Sequence, residues 1–553
     1  VALQAQSGPD SSASLAAARA AQAAFERLRL DYLPRTVSGS SGPCDEIVGR
    51  FCYWHDGDDD WIPPPEPEPI RRARDRLVRQ LDSLAALAPA DDWIAGQRVR
   101  YLAEAGRADD ALHAALECRG TTWWCLALAA FAHHRAGRFA AADSAYADAL
   151  AGMPAEERCA WTDLSVILAQ QPEGYRNTPC EQRAAPDAVI WWLADPLYLT
   201  PGNERRTEHF SRHVVNRMQS NARSPYAVRW GNDLEELLLR YGWPAGWERD
   251  DTWRPADQAT IRIIARHAPR SREFLPPRRF AETPSRIEPQ AWDLDPDRPR
   301  SGYAPPYARD FVALDPQVGV FWRGDSAIIV AGFEPPKEDD RDSKAALAIA
   351  LGPDRAPVMA RDSGPGPYRL ALTVPASGGL LSVEALTGGD SAMASRARYW
   401  LSLGRPAELA VSQPLLFATG NPDSIPAVLE LLFDSILTRS TITPGAPVGV
   451  YWETYLENTD ARTARVSLTV TRAGSPWIRR AAERLGLAGR RQPVVRLSWS
   501  LSLPRPSGTT VHPQSVAVTL PERATGRFAL EIAMDVGGRV VRSERVVEVR
   551  GRL

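Results

Sequence analysis

In the run PGNERRTEHFSRH (Pro201–His213), His209 and His213 stand four residues apart, and so do Glu204 and Glu208. Residues at that spacing share a face of a helix. The first pair could offer two imidazoles to one zinc ion, and the second could supply two carboxylates for acid and base work. A zinc site needs a third ligand and a water-activating carboxylate as well, and the H-E-x-x-H order is absent from the chain. Arg206 and Arg217 fall on the histidine stripe, where their charges repel a divalent cation. Glutamates one turn apart on a solvated face read as surface charge, with Glu208 placed to pair with Arg212. The expectation is no catalytic residue, no cofactor and no metal, with His209 and His213 as the residual metal candidates.

The elements that carry these residues follow from local signals. Pro201-Gly202 make a turn, Asn203 is an N-cap, and Phe210, Val214 and Met218 recur every four residues as a buried stripe. Downstream, Leu237–Tyr241 read as a short buried strand closed by the turn YGWP. Trp191 and Asp195-Pro196 ahead of the helix, then Asn203-Glu204, His209, Arg212, Trp230, Asp233 and Tyr241-Gly242-x-Pro244, form a pattern. It resembles the GWxTD-domain family of exported bacterial proteins. The name-giving motif falls on Arg229–Asp233, matched at Trp230 and Asp233, with Arg229 and Asn232 at the glycine and threonine positions. The resemblance spans Trp191–Glu248 and implies a layout of helical repeats before this segment and β-domains after it. It implies no reaction, and leaves the roles of those signature residues open.

The helical part repeats. AGRADDALHAAL (Ala105–Leu116) and AGRFAAADSAYADAL (Ala136–Leu150) place Gly106 and Gly137 at equivalent points, followed by Ala111 and Ala142, and the second copy continues to Tyr146 and Pro154. Small residues at close approach, an aromatic filler and a terminal proline resemble the second helix of a tetratricopeptide repeat. His133 and His134 read as packing and surface residues of the preceding helix. Further upstream, residues 12–31 are Ala-rich and helical, and Ile62–Pro69 (IPPPEPEP) is a stiff extended connector.

The six cysteines lie in the first third as close sequential pairs, Cys44–Cys52, Cys118–Cys125 and Cys159–Cys180, and no C-x-x-C occurs. Bridges within each pair are the economical expectation among fifteen connectivities. They fit an exported chain, periplasmic or extracellular, as does VALQAQ at the start, which resembles the end of a secretory signal with Ala2 or Ala5 near the cleavage site.

From about residue 303 the hydrophobic period changes to two. Six short alternating runs from Val318 to Leu403 and six more from Pro447 to Val549 predict two β-sandwiches, Ig-like in character. Glu453 between Tyr451 and Tyr455 is expected on the wetter face of its strand, and 475–492 reads as a short basic amphipathic helix on a hairpin. Asp56, Asp58 and Asp60, and again Asp293, Asp295 and Asp297, alternate like calcium ligands but lack the loop glycine and twelfth-position Glu of an EF-hand. Residues 251–300 are charged and Pro-rich, and read as irregular.

The expected fold is therefore multidomain α+β. An N-terminal helix, Cys loop and Pro-rich linker (1–69) precede a TPR-like α-solenoid (70–187), a small α/β central domain with irregular linker (188–300), and sandwiches at 301–405 and 406–553. At 553 residues with 44% hydrophobic and 24% charged content, composition is that of a folded protein. A formal charge of -2 argues against nucleic acid, and no apolar run is long enough to span a membrane. No G-x-S-x-G, P-loop or G-x-G-x-x-G is present. The expected function is non-enzymatic: an interaction or assembly subunit with protein partners. The alternatives are a peptidase-like hydrolase with a site between the central and β domains, or glycan binding by Trp191, Trp192, Trp243 and Trp247.

Overall fold

The computed structural model describes residues 9–36, 44–55, 61–250, 262–268, 270–337, 340–389, 392–404, 408–422, 425–457, 463–473, 493–503 and 510–550. The Asp56/Asp58/Asp60 run and the basic insert 475–492 lie outside them. Helices fill the N-terminal region and sheets the C-terminal region. The chain forms two compact units, Val1–Arg286 with Trp292–Asp310, and Ile287–Ala291 with Phe311–Leu553. Among the described residues, no helix is long and apolar enough to cross a membrane.

The first unit opens with α1 (Pro9–Tyr32) and α2 (Glu68–Leu87). Pro69 sits in the first turn of α2, where a missing N–H leaves no bond unmade, so the proline run leads directly into a helix. Then come α3 (Asp92–Glu104) and α4 (Ala108–Leu116), and α5 (Thr122–Arg135) and α6 (Phe139–Gly152). Both pairs turn in the same way: Gly106 and Gly137 adopt φ of 73° and 71°, and the residue after each donates to the carbonyl five back, Arg107 to Leu102 and Arg138 to His133. Ala111 and Ala142 are fully buried where helices approach, and Tyr146 is almost so. Disulfides join Cys44 to Cys52, Cys118 to Cys125 and Cys159 to Cys180, the pairing expected from spacing.

After α7 (Ala155–Thr162) and α8 (Ala184–Ala194), helix α9 (Glu204–Gln219) runs against α5 and α6 and buries Phe210, Val214 and Met218 in the core of the helical region. Asn203 caps it, accepting from the Arg206 amide at 2.9 Å. The segment expected as a strand is a helix, α10 (Asn232–Tyr241). Leu234, Leu237, Leu238 and Tyr241 are buried at helical spacing, so the apolar run LLLRY is the wide face of a helix rather than a strand buried on both sides. Gly242, at φ 81°, ends it. Two hairpins complete the unit: β1 (Glu46–Val48) with β2 (Phe51–Tyr53), and β3 (Gly246–Asp250) with β4 (Arg262–Arg266). The latter puts a strand inside the stretch expected to be irregular.

Among the described residues, the second unit holds four sheets. Its strands are β5 (Asp310–Ala313), β6 (Gln317–Arg323), β7 (Ser326–Phe333), β8 (Lys344–Ala350), β9 (Val358–Ser363), β10 (Tyr368–Pro375), β11 (Gly379–Leu386) and β12 (Met393–Leu401). They form sheets ordered β10-β7-β6 and β5-β12-β11-β8-β9. One core takes alternate residues of both, including Ile329 and Phe333 from the first sheet and Leu347 and Val383 from the second. Ile287 returns to this unit, its carbonyl accepting from the Trp400 amide at 2.8 Å.

The remaining strands are β13 (Leu409–Val411), β14 (Leu415–Ala418), β15 (Thr441–Ile442), β16 (Pro447–Leu456), β17 (Thr463–Arg472), β18 (Val495–Ser502), β19 (Thr510–Thr519), β20 (Gly526–Val536) and β21 (Arg539–Val549). β13 and β14 pair along one side of β16 and β19 along the other, opposite the sheet β15-β21-β20-β17-β18. Trp452 on β16 enters the core shared with β17 and β20. The other face of β16 is also buried, because Tyr451 packs with Phe321 in a second cluster, so Glu453 does not lie on a wet face. Arg323 grips both carboxylate oxygens at 2.6 Å, and the Tyr451 and Tyr455 hydroxyls donate to them at 2.6 and 2.7 Å. It is a buried structural pin.

Candidate functional site

Helix α9 presents two chemically different faces. On one, His209 and His213 are buried, not set on an exposed stripe beside Arg206 and Arg217. His209 Nε2 lies 2.9 Å from the Trp161 carbonyl, and the His209 ring also meets Trp191 at 5.2 Å. His213 stacks on Trp161 with rings 5.5 Å apart. Burial pushes both imidazoles down, His213 to about 3 and His209 well below its usual range, with the His213 ring beside it and the Arg205 charge adding to the effect. They are neutral rings that pack aromatic surface. Among the described residues, the one set of three His, Cys, Asp or Glu ligand atoms close enough to share a metal is Cys159, Cys180 and Glu181, and its two sulfurs are bonded to each other. Asp295 pairs with Arg272 at 2.9 Å, and Asp293 accepts from the Asp295 amide at 3.0 Å.

The other face is ionic and buried, which corrects the expectation of solvated carboxylates. Glu204 is fully buried and accepts from the Tyr307 hydroxyl. Glu208 binds Arg212 through Oε1 at 2.6 Å and His134 Nε2 through Oε2 at 2.9 Å. Burial alone would raise the Glu208 carboxyl, but the Arg212 guanidinium and His134 overcome that and hold it well below the ordinary carboxylate range. Arg212 also donates to the carbonyls of Leu239, Arg240 and Gly302 at 2.8–3.0 Å. It thereby ties α9 to the end of α10. Gly242 is required at this point: a Cβ there would come within 3.0 Å of Arg212 Nη2 and 3.3 Å of Glu208 Oε1.

The residues that carry the resemblance make contacts that brace the unit. Asn203 donates through Nδ2 to the Trp191 carbonyl at 2.6 Å, and Trp230 donates to Asn216 at 2.7 Å. Asp233 binds Arg50 Nε and Nη2 at 2.5 and 2.8 Å, bonds that hold its carboxyl down at about 2. The Tyr241 hydroxyl donates to Glu46 at 3.0 Å. Asp195-Pro196 are buried just beyond α8. Of the set, only Arg212, Tyr241, Gly242 and Pro244 reach a cavity of about 600 Å³ in the first unit, bounded by α1, α2, α3, α5, α9 and the turn after α10.

Two groups of polar residues on this cavity escaped sequence reading. His134 belongs to it and is buried, with Nδ1 2.9 Å from Thr207 Oγ1. Its partners are more than seventy residues away in sequence, so no local spacing could reveal it. The second group joins α1 to α3: Glu104 receives Arg29 at 2.5 Å and Arg100 at 2.8 Å, while Glu26 receives Arg100 at 3.1 Å and the Tyr101 hydroxyl at 2.6 Å. Burial works against the Glu104 charge, yet Arg29 and Arg100 bring its carboxyl down to about 2.

Thr207, His134 and Glu208 are connected in the order hydroxyl, imidazole, carboxylate, the connectivity of a hydrolase triad. Thr207 has no exposed surface, does not line the cavity, and donates to the Glu204 carbonyl at 3.2 Å. The Ser211 hydroxyl on the wall pairs with Tyr146 at 2.8 Å. Trp191 is buried, whereas Trp243 and Trp247 are half-buried on the cavity wall, edge to face at 5.2 Å.

No family model and no curated protein matches the chain. Among solved structures, two of a glycosyl hydrolase family 2 member from Bacteroides cellulosilyticus match at 10% and 11% identity with a TM-score of 0.17 in both. Each match covers 41% of this chain and 27% or 28% of the other. The chain thus spans under a third of those proteins, and a likeness at that TM-score carries no argument about fold or activity.

Proposed function

We propose that the chain is a non-enzymatic, exported bacterial protein that serves as an interaction or assembly subunit, in the manner of the GWxTD-domain proteins it resembles. In this reading the α3–α4 and α5–α6 hairpins are TPR-like, and the two sandwiches of the second unit are Ig-like modules. The observation that carries it is the state of the best catalytic candidates. Both oxygens of Glu208 are occupied, its carboxyl is held ionised by Arg212 and His134, and the hydroxyl in line with His134 is sealed from the cavity. A locked carboxylate is no proton donor, and a sealed hydroxyl is no nucleophile. Three intrachain disulfides support an oxidising compartment.

The test is the mass of the full chain isolated natively, by light scattering, together with turnover on peptide and glycoside panels. A polymer or a complex of fixed stoichiometry without turnover supports the proposal. A monomer that hydrolyses one substrate class, with the activity lost in Thr207→Val or His134→Ala, replaces it with the hydrolase reading.

A further inference from the structure

Guanidinium groups outnumber carboxylates on the cavity wall, with Glu26 behind the wall also taking Arg29 and Arg100. Arg29, Arg74, Arg100, Arg135 and Arg212 line it against the carboxylates of Glu66, Glu104 and Glu208. The three glutamates are engaged, Glu66 by Arg74, Glu104 by Arg29 and Arg100, and Glu208 by Arg212 and His134. What remains is one-sided. The buried side-chain atoms of the wall without a hydrogen-bond partner are Arg29 Nη1, which keeps an ion contact with Glu26 Oε2 at 3.5 Å, Arg74 Nε, Trp247 Nε1 and the Tyr303 hydroxyl. Three of these can only donate, the fourth can donate, and no lining carboxylate oxygen is among them. Arg74 and Tyr303 are both more than nine-tenths buried. Buried donors in a native fold find an acceptor, and an acceptor group entering the cavity would supply one.

The rest of the wall is apolar and flat-sided. Trp243 and Trp247 face it beside Phe131, Pro63, Pro64 and Pro244. A cavity of about 600 Å³ falls in the size class that encloses a small organic ligand. We infer that this cavity is a binding site for a carboxylate carried on an apolar, aromatic body, with the carboxylate on the Arg74 and Tyr303 donors and the body against the two tryptophans. The ligand is either a free aromatic acid or the carboxyl end of a peptide with an aromatic last residue. The site lies within the first unit and is independent of whether the chain assembles with others.

Isothermal titration of the full, disulfide-intact chain tests it with two pairs of probes. The first is 3-phenylpropionate and its amide, the second an acetylated tripeptide ending in phenylalanine, as free acid and as amide. The expected result is binding of one acid at or below about 1 mM, at least about tenfold tighter than its amide, since every 1.4 kcal/mol is tenfold. Arg74→Met should remove the preference for acid over amide, and Tyr303→Phe, which keeps the ring and deletes the hydroxyl, should reduce that preference several-fold. The Tyr303 variant decides the matter if Arg74→Met does not fold. Tighter binding of the simple acid identifies a free metabolite-like ligand, and tighter binding of the tripeptide acid identifies a chain end. No binding of either acid, or equal binding of acid and amide, overturns the assignment.

Discussion

Arg212 stands one helical turn after Glu208 on α9 and spends all three guanidinium nitrogens indoors, Nε on that carboxylate and the other two on the carbonyls of Leu239, Arg240 and Gly302. Removing the cation leaves Glu208 ionised and buried and three carbonyls short of a donor. Arg212→Met should destabilise the helical unit by about 3–5 kcal/mol, the range for breaking a buried ion pair, read as a fall in the urea midpoint of the helical circular dichroism. Adding Glu208→Gln should recover part of the loss. If Arg212→Met alone leaves the midpoint unchanged, the brace is not where the stability lies.

Acid should loosen the unit through His213. Its imidazole is pushed by burial to about 3 in the fold, from 6.5 when free. A depressed histidine contributes stability that is complete above pH 6.5 and drains away as pH falls towards 3, because the unfolded chain takes up the proton first. His213→Phe keeps a ring on Trp161 and removes the titration. Its stability should decline less between pH 6.5 and 4 than that of the parent, by on the order of 1–3 kcal/mol, as measured by denaturation at stepped pH.

Glu273 predicts the opposite slope. Burial pushes its carboxyl up to about 7, against hydrogen bonds from the Ser301 and Arg300 backbone and the charges of Arg205 and Arg240. A raised carboxyl contributes stability in full below about 4.5, its ordinary value, and loses it as pH rises through 7. Glu273→Gln should therefore match the parent near pH 4 and exceed it above pH 7 by on the order of 2 kcal/mol. Melting curves at pH 4.5 and 8 check this, and a variant that is weaker at pH 8 contradicts it.

The three disulfides should rank by loop length. Cys159–Cys180 closes twenty-one residues and Cys118–Cys125 seven. Chain-entropy reasoning gives roughly 2–3 kcal/mol per bridge and about 1 kcal/mol more for the longer loop. Paired Cys→Ala variants, compared by chemical denaturation, should fall in that order.

In the second unit, Glu453→Gln should cost several kcal/mol, since it unbalances the bidentate Arg323 pair in a site where Glu453 is only 1% exposed. Tyr451→Phe, which deletes one of two phenol donors, should cost about 1 kcal/mol. Both are read from the melting of the β signal.

What was legible in the sequence was whatever depends on neighbours along the chain. The Asn203 cap, the Phe210–Val214–Met218 stripe, the Gly106 and Gly137 turns and the cysteine pairs are all local events, fixed within a turn or a short loop. Leu237–Tyr241 misled because five apolar-rich residues fit either period, and the deciding partner, Leu234, lies just upstream of the run. The ionic face of α9 misled for a different reason. Glu204, Glu208 and Arg212 look solvated when viewed alone, and only contacts from His134, Tyr307 and Gly302 reveal that the face is inside. The cavity was invisible, because its walls are drawn from α1 through Pro306 and no single segment contributes a recognisable fraction of them.

The chain leaves its first unit after Arg286, comes back at Trp292 and departs again after Asp310. A tract of DNA ending at codon 286 would omit the Gly302 carbonyl that receives Arg212, and one starting at 311 would omit the Ile287 carbonyl that receives Trp400. A single cut at either junction therefore leaves one of the two units incomplete, so no one breakpoint there separates both as whole cassettes.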